Sequence, residues 1–226
     1  MLVEPPEDES RLALDQALIA AARARLAAGP RGAMDADAIA LRQVLRDVPS
    51  AERAALRALL GRLEAAAGPP VVACGPIAQL LAADRWGLAA RPVNDAKAAL
   101  AAALGGQRAL IELGARPWWA RLLAQPTLKV VAALPDSPVG APRALLVSTE
   151  ASGPTGDDRT FWVTDSPHAD ARIIAALSDA GLAAEPLTAG GGLKLFALTG
   201  YVQAEDGRLI GAPGSLTGVI GAAPVY

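Results

Sequence analysis

One cysteine, one histidine and a few aromatic residues are the groups in this chain whose chemistry goes beyond charge. Cys74 ends the apolar run VVAC just before Gly75–Pro76, where a thiol at a helix N-terminus can act as a nucleophile. The only imidazole, His168, lies far along the chain, and an inert structural thiol fits the same residues. Asp165, Ser166 and His168 share one turn, which suits either a ligand contact or capping of the helix that follows. Arg116 beside Trp118 and Trp119 suits either a stacking platform or the apolar start of a core helix. Gly190–Gly191–Gly192 lacks the lysine and the strand-to-helix context of a phosphate loop and reads as a turn. One cysteine and one histidine argue against a dedicated His/Cys metal centre.

The remaining charge is spread thinly. Of 226 residues, 52% are hydrophobic and 19% charged, with a net charge of −2, enough to bury a core in one to three small domains. That balance leaves no footprint for nucleic acid or an anionic membrane. The single cysteine excludes an internal disulfide framework, and the acidic start MLVEPPEDES is unlike a secretory signal. No apolar run approaches the roughly 20 residues that span a bilayer, so a cytoplasmic protein is expected. Arg23, Arg25, Arg42, Arg46, Arg53 and Arg62 lie on Ala/Leu-rich segments, where solvated stripes are the ordinary reading.

The elements that must position these groups follow from periodicity. Amphipathic patterns give helices over 9–28, 35–47 and 50–67, the last stopped by Gly68–Pro69–Pro70. Strands and helices then alternate: VVACG, PIAQLLAADRW, ARPV, NDAKAALAAALGG, QRALIEL, RPWWARLLAQ, TLKVVAAL and PRALLVST. That alternation predicts a small α/β lobe with a largely parallel sheet. From Thr155 to Val202 the chain reads as strand (TFWVT), helix (Ile173, Ile174, Leu177, closed by Gly181) and strand (LKLFAL). Arg208 to Gly211 suits an edge strand, and the last dozen residues carry no clear assignment.

The order TGDDRT, extended run, SP-containing turn, helix and Gly-flanked strand resembles the ACT domain at the C-terminus of prephenate dehydratases. PRALLVSTEASGPTGDDRT is similar to the junction leading into it, and the α/β stretch resembles the second lobe of that enzyme. LDQALIAAARARLA, through Leu14, Asp15, Leu18, Ile19 and Arg25, resembles the opening of the all-helical chorismate mutase. Together these make the chain look like a shortened relative of the bifunctional chorismate mutase–prephenate dehydratase. The implied fold class is multidomain α+β: a three-helix segment over 1–68, an α/β lobe over 69–152, and an ACT-like (ferredoxin-like) βαβ module with tail over 153–226.

The resemblance implies an isomerase of aromatic amino acid biosynthesis, rearranging chorismate to prephenate without covalent catalysis or a cofactor. Its catalytic residues would be Arg25, Asp37 and Arg31, with Arg11 and Arg42 as further substrate-binding cations. Asp165, Ser166 and His168 would be effector contacts. Pro142 stands where the family's TRF threonine would be, which implies no dehydratase activity. Expected partners are a chorismate- or prephenate-like small anion, a second copy in a homodimer, and a pathway enzyme, with no nucleic acid and no membrane. Competing expectations are a non-catalytic regulatory scaffold and a small-molecule sensor using the cleft between lobe and ACT-like module.

Overall fold

The computed structural model describes residues 50–137, 140–150 and 152–226, together with single helical positions between Glu9 and Arg42. The expected helices over 9–28 and 35–47 fall mainly outside the described residues. From residue 50 onward, local signals set each element. Helix α1 (Ser50–Ala67) stops at the Gly-Pro-Pro break and β1 (Val71–Cys74) begins. Gly75, at φ 97°, adopts a conformation that side chains rarely tolerate, and Pro76 opens α2 (Pro76–Trp86). After β2 (Arg91–Val93), Asp95 accepts the Ala98 N–H at 2.8 Å and caps α3 (Ala96–Leu104).

Next come β3 (Arg108–Glu112), a 3-10 turn over Trp118–Ala124 where an α-helix is expected, β4 (Lys129–Leu134) and β5 (Ala144–Ser148). All of β5 is buried, as in a strand covered on both faces. β6 (Asp158–Thr164) and α4 (Asp170–Asp179) precede a hairpin of β7 (Ala184–Gly190) and β8 (Leu193–Thr199). A 3-10 turn at Gly207–Leu209 replaces the edge strand expected near Arg208, and β9 (Thr217–Pro224) ends the chain.

The nine strands among the described residues form one mixed sheet in the order β2-β1-β3-β5-β4-β9-β6-β8-β7. This corrects the expected fold class. An α/β lobe and a separate ACT-like module would each close their own sheet, but β9 sits between them. It pairs parallel with β4 at Val130–Gly221, and antiparallel with β6 along its whole length. One hydrophobic core spans the join on one face, from Val72 and Ala99 through Val130, Val147 and Phe161 to Leu195 and Ile220. Within this half the two expected strands, β6 and β8, pair antiparallel, and a further strand that was not expected, β7, follows the helix and flanks β8 on its other side.

The expected three-helix segment is corrected as well. Its third helix, α1, belongs to the helical layer on the sheet. Glu64 accepts the Trp86 indole N–H at 3.2 Å, and a Cβ at Gly61 would overlap the Arg85 backbone carbonyl, so α1 rests directly on α2. Resemblance to the bifunctional enzyme therefore does not survive: the described chain is organised by a nine-stranded sheet, not by an all-helical mutase segment.

What positions the site is the strand order at one edge. The chain goes from β1 by α2 out to β2, then by α3 back past β1 to β3. Right-handed crossovers in opposite directions place the two helices on opposite faces. Accordingly α2 buries Ala78, Ala82 and Trp86 with Val71 and Leu110, whereas α3 buries Ala99, Leu100 and Ala103 with Val72 and Ile111. β1 and β3 therefore lead into loops that diverge, and a crevice opens at their carboxyl ends.

Candidate functional site

A cavity of about 790 Å³ occupies that crevice. Its wall is mainly apolar, with Ile111, Ala115, Pro117 and Trp118 contributing. The Trp118 indole is fixed by donating to the Glu112 carbonyl at 2.8 Å. Three cations, Lys97, Arg116 and Arg121, line the opening and are exposed. None of the three pairs with an acidic group among the described residues.

Two carboxylates also line the cavity, and both are occupied. Glu112 Oε2 accepts the Ile77 N–H at 2.9 Å, so this carboxylate sits at the N-terminus of α2. Asp95 Oδ1 is committed to capping α3. The three cations outnumber the two carboxylates, so the lining as a whole is positive, and beside it lies an apolar surface with an aromatic plate. Such a combination takes up a small organic anion.

Cys74 lines the same cavity and is half-buried. Burial pushes its thiol above the ordinary value, and the nearby Asp95 and Glu112 carboxylates push the same way. The nucleophile expectation needs the opposite shift, so at neutral pH this residue is a protonated wall of the cavity. As Cys74 is the only cysteine, its alkylation can be followed in isolation. Iodoacetamide at pH 7.5 is expected to modify it at least about tenfold more slowly than a free thiol, and more slowly still with an anion bound. Reaction at the rate of a free thiol would contradict this electrostatic picture.

The other sequence-derived residues lie elsewhere. Arg11, Arg25, Arg31 and Asp37 are outside the described residues. Arg42 donates to Thr155 Oγ1 at 2.9 Å and to the Asp157 and Val225 carbonyls at 2.8 and 3.0 Å, with its guanidinium 5.9 Å from the Tyr226 ring centre. It ties the chain end to the 155–158 turn. Asp165 accepts from the Ser215 hydroxyl at 2.6 Å and from the Ser215 and Leu216 N–H groups at 2.7 and 3.0 Å. The Ser215 hydroxyl first, then the Leu216 N–H, holds its carboxyl below the usual range. Ser166 is buried and accepts the His168 N–H at 3.4 Å, while Lys194 donates to the His168 carbonyl. These three residues organise the loop after β6; they are not near Arg42 in any contact the structure records.

Sequence reading picked out Cys74 and, separately, Arg116 with Trp118, but did not join the two. Lys97, Arg121 and Glu112 were missed. The available signal was topological: loops after consecutive parallel strands converge where the strand order reverses. Among the described residues no cluster of three or more His, Cys, Asp or Glu side chains is placed to hold a metal, and no helix is long and apolar enough to cross a membrane.

No family model matches the chain, and no curated protein matches it. Among solved structures, one titled "GqqA- a novel type of quorum quenching acylases" is similar at 19% identity and a TM-score of 0.47, covering 70% of this chain and 97% of that one. Likeness at that level leaves the site to be argued from its own geometry. Assignment as a chorismate mutase, with the isomerase, dehydratase-like and aromatic-biosynthesis roles attached to it, is corrected by these findings: no mutase or dehydratase family model matches, and the described architecture is a single mixed sheet.

Proposed function

We propose that the protein binds a small organic anion, a carboxylate attached to an apolar or aromatic body, in the crevice at the carboxyl ends of β1, β2 and β3. The observation that carries this reading is the charge of the cavity lining: the cations Lys97, Arg116 and Arg121 outnumber the carboxylates Glu112 and Asp95, and each carboxylate already accepts a backbone N–H. The carboxylate sits against the cations and the body lies on Trp118 and Ile111. Binding, not covalent catalysis, suits the residues present, since burial and the neighbouring Asp95 and Glu112 carboxylates hold the Cys74 thiol protonated.

Titrating intrinsic tryptophan fluorescence with 3-phenylpropanoate, 3-phenylpropylamine and 3-phenylpropanol tests the reading. The carboxylate is expected to bind with a dissociation constant on the order of 1 mM or below, and the amine at least about tenfold more weakly. Arg116→Ala with Arg121→Ala is expected to bring the carboxylate down by at least about tenfold, each lost charged contact contributing about 1 kcal/mol at an exposed site. Equal binding of the amine, or unchanged binding by the double variant, would rule the anion site out.

A further inference from the structure

Arg116 reaches the cavity on a loop, Gly114 to Pro117, that joins β3 to the 3-10 turn over Trp118–Ala124. Gly114, Ala115 and Arg116 are exposed. The same loop abuts the tip of the β7–β8 hairpin. A Cβ at Gly190 would lie 2.8 Å from the Ala115 carbonyl oxygen and 3.3 Å from Pro117 Cδ. One at Gly191 would lie 3.2 Å from Pro117 Cγ, whereas one at Gly192, the third glycine of the tip, would meet open space. Ala115, Arg116 and Pro117 all line the cavity, and none of the three glycines does. The hairpin therefore touches the wall of the site without entering it.

That contact spans the molecule. β7 stands six places from β3 in the strand order. In a flat sheet, at about 4.8 Å per strand, the two would be roughly 29 Å apart. Twist curls the sheet, and Leu187 and Leu193 of the hairpin pack against the same core as Trp118 and Trp119. At Gly190 the meeting atoms on the loop are backbone and a proline ring, so no rotamer change can make room for a side chain. We propose that Gly190 and Gly191 are positioning residues for the anion site: the bare hairpin tip sets where residues 115–117 lie, and so how closely the Arg116 guanidinium approaches the bound carboxylate. This role rests on the anion-binding reading above. It is sensitive to small displacements, because a charge-assisted hydrogen bond holds only over a narrow range of distance and angle.

Titration of the full chain with 3-phenylpropanoate, with the melting temperature of each variant measured alongside, tests the role. Gly190→Ala is expected to weaken binding at least about fivefold. Gly191→Ala and Gly192→Ala form the stricter pair. At φ 58° and 79° both strain the backbone, but only the first meets Pro117. Both are expected to lower the melting temperature, while Gly191→Ala alone weakens binding, by at least about twofold. This pair decides the matter should Gly190→Ala not fold. In an Arg116→Ala background, Gly190→Ala or Gly191→Ala is expected to cost no further affinity, since the loss acts through that guanidinium. Equal affinities for Gly191→Ala and Gly192→Ala, or a loss that adds in full to that of Arg116→Ala, would overturn the positioning role and leave the anion site standing. No binding of the carboxylate by the unaltered protein at about 10 mM would overturn both.

Discussion

Gly221→Ala is expected to destabilise the protein by roughly 3–5 kcal/mol. Gly221 has φ 140°, and a Cβ there would lie 2.3 Å from the Val130 carbonyl oxygen and 2.4 Å from its nitrogen. Those atoms are backbone within β4, so no side-chain rotation relieves the overlap. The only relief is to part β4 from β9, and that pairing is recorded at just this residue pair. Parting them would open the core where Val130, Phe161 and Ile220 meet. Gly218→Ala, on the same strand, is the control: its Cβ would meet the Leu123 Cδ2 methyl at 2.7 Å, the far end of a flexible side chain. It is expected to destabilise by about 1 kcal/mol or less. Urea unfolding of both variants checks the contrast. Equal midpoints would mean that the β4–β9 seam is not closed as described.

Glu150→Ala is expected to destabilise by about 3 kcal/mol. Arg108 and Glu150 form a bidentate pair, Nε to Oε2 at 2.6 Å and Nη2 to Oε1 at 2.9 Å, with the arginine side chain 7% exposed. Ser148 Oγ donates to the same carboxylate at 3.1 Å. Removing the carboxylate leaves a buried guanidinium without its main counter-charge, whereas replacing both partners by apolar side chains removes the stranded charge too. Arg108→Met with Glu150→Leu is therefore expected to recover part of the loss. Burial alone would raise the Glu150 carboxyl, but the Arg108 hydrogen bond and charge, helped by Ser148, outweigh it and leave the carboxyl below its ordinary value. A lowered folded-state value contributes stability above the unfolded value, near about pH 4.3, which is lost as pH falls through the folded one. The stability gap between unaltered protein and Glu150→Ala should thus be flat from about pH 6 to 7.5 and shrink below about pH 4. A gap that widens in acid would assign the wrong sign to this pair. Because Arg108 begins β3, at the end opposite the cavity, ligand affinity should not change in the folded variant.

Much of the sheet is written in local signals. Gly-Pro-Pro and Gly-Pro bracket VVAC, Asn94–Asp95 announces α3, and TFWVT and LKLFAL carry the β-branched and alternating patterns of β6 and β8. β9 is different. TGVIGAAP is rich in glycine, alanine and proline, poor β-formers whose strand state comes from pairing with β4 and β6. Without β9 the chain reads as separate lobes, and the resemblance to a multidomain enzyme follows from that gap. Similarly, WWARLLA has a helical spacing of apolar residues, yet Trp119 and Leu122 pack into the sheet core from a 3-10 turn. Residues such as Lys97 and Arg121 have ordinary helix-surface neighbours in sequence. Only the order β2-β1-β3 brings them to one opening, and strand order is a property of tertiary packing.

The most direct test of the anion-binding claim is a map of backbone amide chemical shifts during titration with 3-phenylpropanoate. The expected result is a set of saturable shifts concentrated at Gly75 to Ile77, Asn94 to Lys97 and Gly114 to Trp118, and lost in the Arg116→Ala/Arg121→Ala variant. Saturable shifts clustered at any other part of the sheet, with those segments silent, would contradict the claim.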